Sequence, residues 1–494
     1  MKFISTRGKD KNGVSAAYAI KAGLASDGGL YMPEAFPEIT KEELKELTAL
    51  PYEARAARIL SKFLTDYTYE ELLYDASAAY SENKFPGGAA PVTKIEEGHY
   101  MLELWHGPTC AFKDMALQIM PRLFVRALQK CGEKRCALIL VATSGDTGKA
   151  ALEGYRDIPG TKIKVFYPID GVSRVQKLQM QTQMGNNTSV EGIVGNFDDA
   201  QSGVKAIFSD YEFSKELSER GVFLSSANSI NWGRLVPQIV YYVSAYCDMI
   251  NDGAITLGER IDVCVPTGNF GNIFAGFIAK KMGLPIEKLV CASNKNNVLT
   301  DFLRTGVYDR NRSFFATTSP SMDILISSNL ERLLYTLFGA EATADYMSSL
   351  NTTGRYELKA SELALVNESF VGYYTDEEMT ARTIRDTYKN KNCLIDTHTA
   401  VAVCAAERFM EDYKTERKML TVSTASPYKF AADVSRAISG SDPSGDLEAL
   451  FELHDLTGSE IPNPISDIMD RNIIHTSVIN KEEMKDSTRQ FALS

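Results

Sequence analysis

Four short segments of this 494-residue chain set reactive or anion-binding groups beside glycines or at the ends of apolar runs. The first is His106-Gly107-Pro108-Thr109-Cys110-Ala111-Phe112-Lys113-Asp114. Its Lys113 carries an amine suited to covalent attack on a carbonyl or to moving protons. Spacing alone also allows a surface lysine on an amphipathic helix, because most lysines are exposed. The second is Thr143-Ser144-Gly145-Asp146-Thr147-Gly148, directly after an apolar run. Its glycines permit a tight turn, and hydroxyls and amides converging at a helix start make a cradle for an anion or carboxylate. An ordinary strand-to-helix turn is the alternative. The third, Pro266-Thr267-Gly268-Asn269-Phe270-Gly271-Asn272, also lies between a strand-like and a helix-like stretch. Gly268 and Gly271 allow close backbone approach, so successive amides there can hold a phosphate or simply form a turn. The fourth, Ser423-Thr424-Ala425-Ser426-Pro427-Tyr428-Lys429-Phe430, ends another apolar run and reads as a capped turn or as the polar mouth of a sheet crevice.

Other chemistries find less support. Neither glycine-rich string has the full dinucleotide pattern or the terminal lysine of a P-loop, which makes a nucleotide enzyme the weaker rival. The eight cysteines form no CxxC pair and the five histidines no HExxH, so no metal site is expected. A formal net charge of -11 disfavours nucleic acid, although a local pocket can oppose that sign for a small anionic substrate. The opening residues lack a secretory apolar core, and no apolar run approaches the roughly 20 residues of a membrane span. Cytoplasm, with no membrane partner, is the expectation.

These segments need a scaffold that brings strand ends together. The chain is too long for one core. The first hundred residues read mostly as helices, with Thr40 and Glu43 as a capping box. A helix runs from Lys113 toward Lys130, disturbed at Pro121. Strands are expected at Cys136 to Ala142, 162–167, 188–194, 222–225, 261–266, 288–292 and 418–424, alternating with helices. That alternation argues for βα units around mostly parallel sheets. The expected divisions are an N-terminal domain over 1–95, a large domain over 96–135 and 251–440 with an insertion near 305–365, a smaller α/β domain over 136–250, and a peripheral segment over 441–494.

Taken together, the segments resemble the threonine synthase family of the tryptophan-synthase-β-like (type II) pyridoxal-phosphate superfamily. Ser5-Thr6-Arg7-Gly8 resembles the family's start, His106 to Asp114 its cofactor-lysine segment, and Ser144 to Gly148 its substrate and cofactor loop. Gly268 to Asn272 is similar to its phosphate cup, and Asn228-Ser229-Ile230-Asn231-Trp232-Gly233-Arg234 to a segment near the substrate. Asp146, where many type II relatives have Asn, favours threonine synthase over a serine or threonine dehydratase. Ser426-Pro427-Tyr428 departs from the subgroup's more usual His-Pro-Ala.

The resemblance implies an α/β type II fold: two open, mostly parallel sheets flanked by helices, with a small, mainly helical N-terminal domain and an insertion. It implies pyridoxal 5'-phosphate held by Lys113 as a Schiff base, with Phe112 adjacent. The cofactor phosphate would lie on Gly268, Asn269, Phe270, Gly271 and Asn272, and the Thr424 hydroxyl against the pyridine nitrogen. Ser144, Gly145, Asp146 and Thr147 would meet the substrate, with Asp146 orienting the loop or accepting hydrogen bonds. Lys162, Ser173, Arg174, Asn231 and Arg234 are candidates for the substrate phosphate. The implied reaction converts O-phospho-L-homoserine and water into L-threonine and phosphate. A non-catalytic relative that binds a phosphorylated metabolite is the reading from another class. Monomer and homodimer are both compatible with the sequence.

Overall fold

A computed structural model of the chain describes residues 1–8, 12–143, 145–170 and 172–494. Two sheets organise it. The larger has six strands in the order Phe370–Tyr374, Ile286–Ser293, Ile261–Pro266, Met419–Ser423, His99–Glu103 and Val92–Glu96. All pair in parallel except the outer Val92–Glu96, which is antiparallel to His99–Glu103. The smaller is wholly parallel, in the order Val478–Ile479, Thr188–Ile193, Thr161–Pro168, Cys136–Ala142 and Val222–Ser225. The inner strands of both sheets are buried on each face, as near-continuous apolar runs in parallel sheets require.

The main core joins the N-terminal helices to the helix Trp232–Asn251, which is buried over most of its circumference. An all-round apolar helix of this kind belongs inside a large domain. Among the described residues, no helix is long and apolar enough to cross a membrane, and no group of metal-ligating side chains gathers.

Several expectations change in detail. Thr40 caps Lys41–Thr48 by accepting from the Glu43 amide, but the Glu43 carboxylate pairs with Lys62 at 2.8 Å instead of reaching back. In this N-terminal part the complete capping box is at Thr68 and Glu71. The helix expected from Lys113 is two, Asp114–Leu117 and Met120–Lys130, because Pro121 fits only the first turn of the second. Besides helices, the first hundred residues contain the Val92–Glu96 and His99–Glu103 hairpin of the large sheet. The irregular stretch after 305 is bracketed by the small hairpin of Val307–Asp309 with Arg355–Glu357 and contains the helix Leu330–Thr353, kinked at Gly339. The segment read as peripheral adds strand Val478–Ile479 to the smaller sheet and packs Met484 against Gly203.

Candidate active site

The lysine segment is fixed against the turn that follows strand Met419–Ser423. The Leu104 amide donates to the Ser423 carbonyl at 3.0 Å, Phe112 to Thr424 at 2.8 Å, and Ser426 to Cys110 at 3.1 Å. Asp114 tightens the loop by accepting from the Thr109 amide and hydroxyl, both at 2.8 Å. Burial pushes the Asp114 carboxyl up to about 6, against the lowering effect of those two bonds. Lys113 emerges from this loop almost wholly buried, with the Phe112 ring 5.0 Å from its Nζ.

The Lys113 ammonium donates to Asp146 Oδ2 at 3.3 Å and to Ser321 Oγ at 3.1 Å. Burial lowers its pKa, and the charges of Lys429 and Arg234 lower it further, against the pull of Asp146. That environment favours the neutral, nucleophilic amine. Burial also disfavours an ionised Asp146, but the facing Lys429 and Lys113 and the bonds from Lys429 and Gln176 prevail, holding it well below the usual carboxylate range. Asp146 is therefore the acceptor for two lysines and for Gln176 Nε2, which lies 2.8 Å from Oδ1.

Asp146 begins the helix Asp146–Tyr155, and the turn before it depends on Gly145. Gly145 has φ 151°, and an added Cβ would meet the Gln176 amide at 2.6 Å. Thr143 Oγ1 gathers the turn by accepting from the Gly145 and Gly148 amides, each at 3.0 Å. Ser144, an expected substrate contact, lies outside the described residues. Thr147 is in the first turn of the helix, half-buried.

The third segment forms a cup at the start of helix Gly271–Lys281. Phe270 takes the left-handed conformation at φ 63°, which costs a non-glycine residue roughly 1–2 kcal/mol. The Gly268 carbonyl accepts from Ser327 Oγ at 2.7 Å and the Asn269 carbonyl from the Asn329 amide at 3.0 Å. Among the described residues, no amide from Gly268 to Asn272 reaches a protein acceptor. Asn272 is anchored through Oδ1 by Tyr241 and Tyr242, which leaves its buried Nδ2 without a partner. A row of unanswered donors at a helix N-terminus with no acidic residue in its first turn fits a phosphate. Thr424 is buried beside the lysine segment, and among the described residues its hydroxyl has no protein partner.

The substrate-phosphate candidates separate. Arg234 is fully buried, donates through Nη1 to the Ala227 carbonyl at 2.6 Å, and keeps Nε unpartnered; burial lowers its pKa to about 10. Ser173 caps the helix Arg174–Gln181, which carries Gln176, and Arg174 is exposed at that helix's first position. Asn231 faces into the protein: its Oδ1 accepts from the Gly233 amide and its Nδ2 donates to the Ile20 carbonyl, both at 2.8 Å. Lys162 is elsewhere, donating to the carbonyls of Phe491 and Ala492 in the last helix, so the structure corrects its assignment.

Sequence reasoning missed four groups. Lys429, within the fourth segment, places its Nζ 2.6 Å from Asp146 Oδ1; its one sign in the sequence is a lysine between two aromatics just after an apolar strand. Gln176 and Ser321 had none. His398 accepts the Ser321 amide on Nε2 at 3.1 Å, and its Nδ1 lies 2.8 Å from Asp396, an arrangement that steadies the turn beside Lys113.

A buried amine and a cup of free amides, with Ser321 against both Lys113 and Gly268, fit a phosphorylated aldehyde cofactor, which Lys113, the 268–272 amides and Thr424 could hold. Comparison with known proteins gives the same class. Residues 93–425 match the model for pyridoxal-phosphate dependent enzymes, residues 2–80 that for the threonine synthase N terminus, and residues 399–486 that for the threonine synthase C-terminal region. The chain is 38% identical to threonine synthase of Pseudomonas aeruginosa, covering 95% of this chain and 97% of that one. It is 41% identical to threonine synthase-like 1 of Macaca fascicularis over 88% of its own length, but spans only 60% of that longer relative. The crystal structure of PLP-bound threonine synthase from Brucella melitensis superposes with a TM-score of 0.89 at 35% identity, covering 100% of both chains. This chain belongs to the threonine synthase family and has the type II fold of pyridoxal-phosphate-dependent enzymes.

Proposed function

We propose that the chain is a threonine synthase, converting O-phospho-L-homoserine and water to L-threonine and phosphate as the last step of threonine biosynthesis in the cytoplasm. The observation that carries this reading is the charge of the site. Lys429 and Lys113 both pair with the ionised Asp146, and Arg234 lies close enough to Lys113 to oppose its proton, inside a chain of net charge -11. A dianionic phosphoester with an α-carboxylate suits that local excess of positive charge.

Pyridoxal phosphate, when bound, supplies a ring that withdraws electrons from the substrate carbons. The chain's residues do the rest. Lys113 would hold the cofactor covalently through Nζ, and the same amine, once free, is placed to hold or move protons at the substrate carbons. Asp146 keeps Nζ aimed, and the Ser321 hydroxyl bounds its other side. The amides from Gly268 to Asn272 fix one phosphate. The unpartnered Arg234 Nε, with Ser173, is assigned to the other. Thr424 would offer the cofactor ring a hydroxyl and no carboxylate. The helix start at Gly145 to Thr147 receives the α-carboxylate, while Asp146 itself stays paired with the lysines. Asn231 supports this surface by capping the helix that carries Arg234.

The test is a stoichiometric assay on O-phospho-L-homoserine with wild type and Lys113→Ala. Threonine and phosphate should appear in equal amounts, and the variant should lose about 10³-fold or more. Oxoacid and ammonia from a hydroxy amino acid would favour a dehydratase, and no turnover of either substrate a non-catalytic binder.

A further inference from the structure

We propose that Lys429 is a positioning residue of this reaction: its ammonium clamps the Asp146 carboxylate in place against Lys113 and ties the smaller sheet's helices to the cofactor-lysine loop. The inference rests on the reading of Lys113 as the cofactor lysine.

The geometry is that of a fully used ammonium. An ammonium has three donors, and Lys429 Nζ finds Asp146 Oδ1 at 2.6 Å, the Thr109 carbonyl at 3.0 Å and Gln179 Oε1 at 3.1 Å. Its side chain is wholly buried. The three acceptors belong to different parts of the molecule. Thr109 lies in the lysine loop, Asp146 opens the helix after the smaller sheet's strand Cys136–Ala142, and Gln179 is on the next helix of that layer. Lys429 itself sits on the turn after strand Met419–Ser423 of the larger sheet, where its amide donates to the Ser426 carbonyl at 3.0 Å.

Lys113 and Lys429 do not compete for the same oxygen. Lys113 uses Oδ2 at the longer 3.3 Å, and Lys429 uses Oδ1 together with Gln176. The difference matters because Lys113 changes state during the reaction. Once its amine is committed to a covalent link or has lost its proton, it no longer gives Asp146 a full positive charge. A carboxylate left in the interior with one neutral amide for company would take up a proton. Lys429 does not react, so the carboxylate stays charged and aimed through the cycle. The same cation also opposes protonation of Lys113.

The groups facing Lys113 are Asp146, Ser321, Lys429, Arg234 and the Phe112 ring, and those facing Asp146 are Lys113, Lys429 and Gln176. Of these, Lys429 alone touches both Asp146 and the loop that bears Lys113.

The experiment follows the pH midpoint of the visible cofactor band in the holo-protein. Variants are Lys429→Met, Lys429→Arg and Asp146→Asn, together with Asp146→Asn added to each Lys429 variant. Asp146→Asn should lower the midpoint of the otherwise wild-type protein by about one pH unit, a tenfold change in proton affinity. Without Lys429 the carboxylate takes up a proton, so in the Lys429→Met protein Asp146→Asn should move the midpoint little, and in the Lys429→Arg protein the wild-type response should return. An Asp146→Asn shift of the same size with and without Lys429 overturns the inference. Where Lys429→Met folds only once Asp146→Asn is added, that rescue supports it, and failure to fold in both backgrounds overturns it. A wild-type protein whose band does not depend on Lys113 overturns the cofactor assignment instead, a different result from the same spectra.

Discussion

Lys113 is useful because of what surrounds it. Two cations and burial discourage its proton, and one carboxylate and one hydroxyl aim it. Gly145 is the backbone residue on which that aim depends. Alanine there meets a φ of 151° and the Gln176 amide at 2.6 Å, a strain of roughly 1–3 kcal/mol. The amide that steadies Asp146 would be displaced. Gly145→Ala should therefore lower kcat/KM at least about tenfold while unfolding remains cooperative, as kinetics and calorimetry on one preparation would test. At this scale the sequence was legible where residues sit in one continuous string: Lys113, Asp146 and the 268–272 cup. It was not legible where a site is made by distant partners. Lys429 meets Gln179 from 250 residues away, and neither neighbourhood carries a local sign of the other.

Elements position these residues by their ends. The cup is the start of a helix, Asp146 opens another, and the lysine loop leans on the turn after a strand. Apolar runs and glycines marked these junctions, so most of the strands and helices of the two sheets could be anticipated. The hairpin at Val92–Glu96 and His99–Glu103 escaped because its residues show no clear alternation of apolar and polar side chains. The reading of Lys162 failed for a related reason. A lysine at the start of a strand looks the same in sequence whether it meets a ligand or a helix end. Here it donates to the carbonyls of Phe491 and Ala492, where a cation at a helix C-terminus contributes roughly 0.3–1 kcal/mol. Lys162→Met should therefore leave KM for the phosphorylated substrate unchanged and cost about that much stability, measured by denaturant unfolding beside steady-state kinetics.

The whole molecule closes around the site from two sheets and an N-terminal layer. Arg332, fully buried, donates to the carbonyls of Tyr31 and Ile230 and so joins that layer to the segment before Arg234. The Thr6 hydroxyl donates to Glu331 at 2.6 Å, and Arg7 pairs with the same carboxylate at 2.9 Å. Acid should loosen this assembly through His99 in the large sheet. Burial, helped by the charge of Lys391 and resisted by Glu96, brings its pKa down from 6.5 to about 4. Between those values the unfolded chain binds a proton that the folded one refuses, so stability falls as pH drops from 6.5 to 4. The loss is on the order of 3 kcal/mol. His99→Gln should flatten that part of the profile, as unfolding midpoints taken across the range would establish. All the chemistry proposed for the site depends on one covalent attachment. Borohydride reduction of the cofactor-loaded protein, followed by peptide mass mapping, should place the added mass on Lys113; a tag on Lys429 or on any other lysine, with Lys113 unmodified, would contradict it.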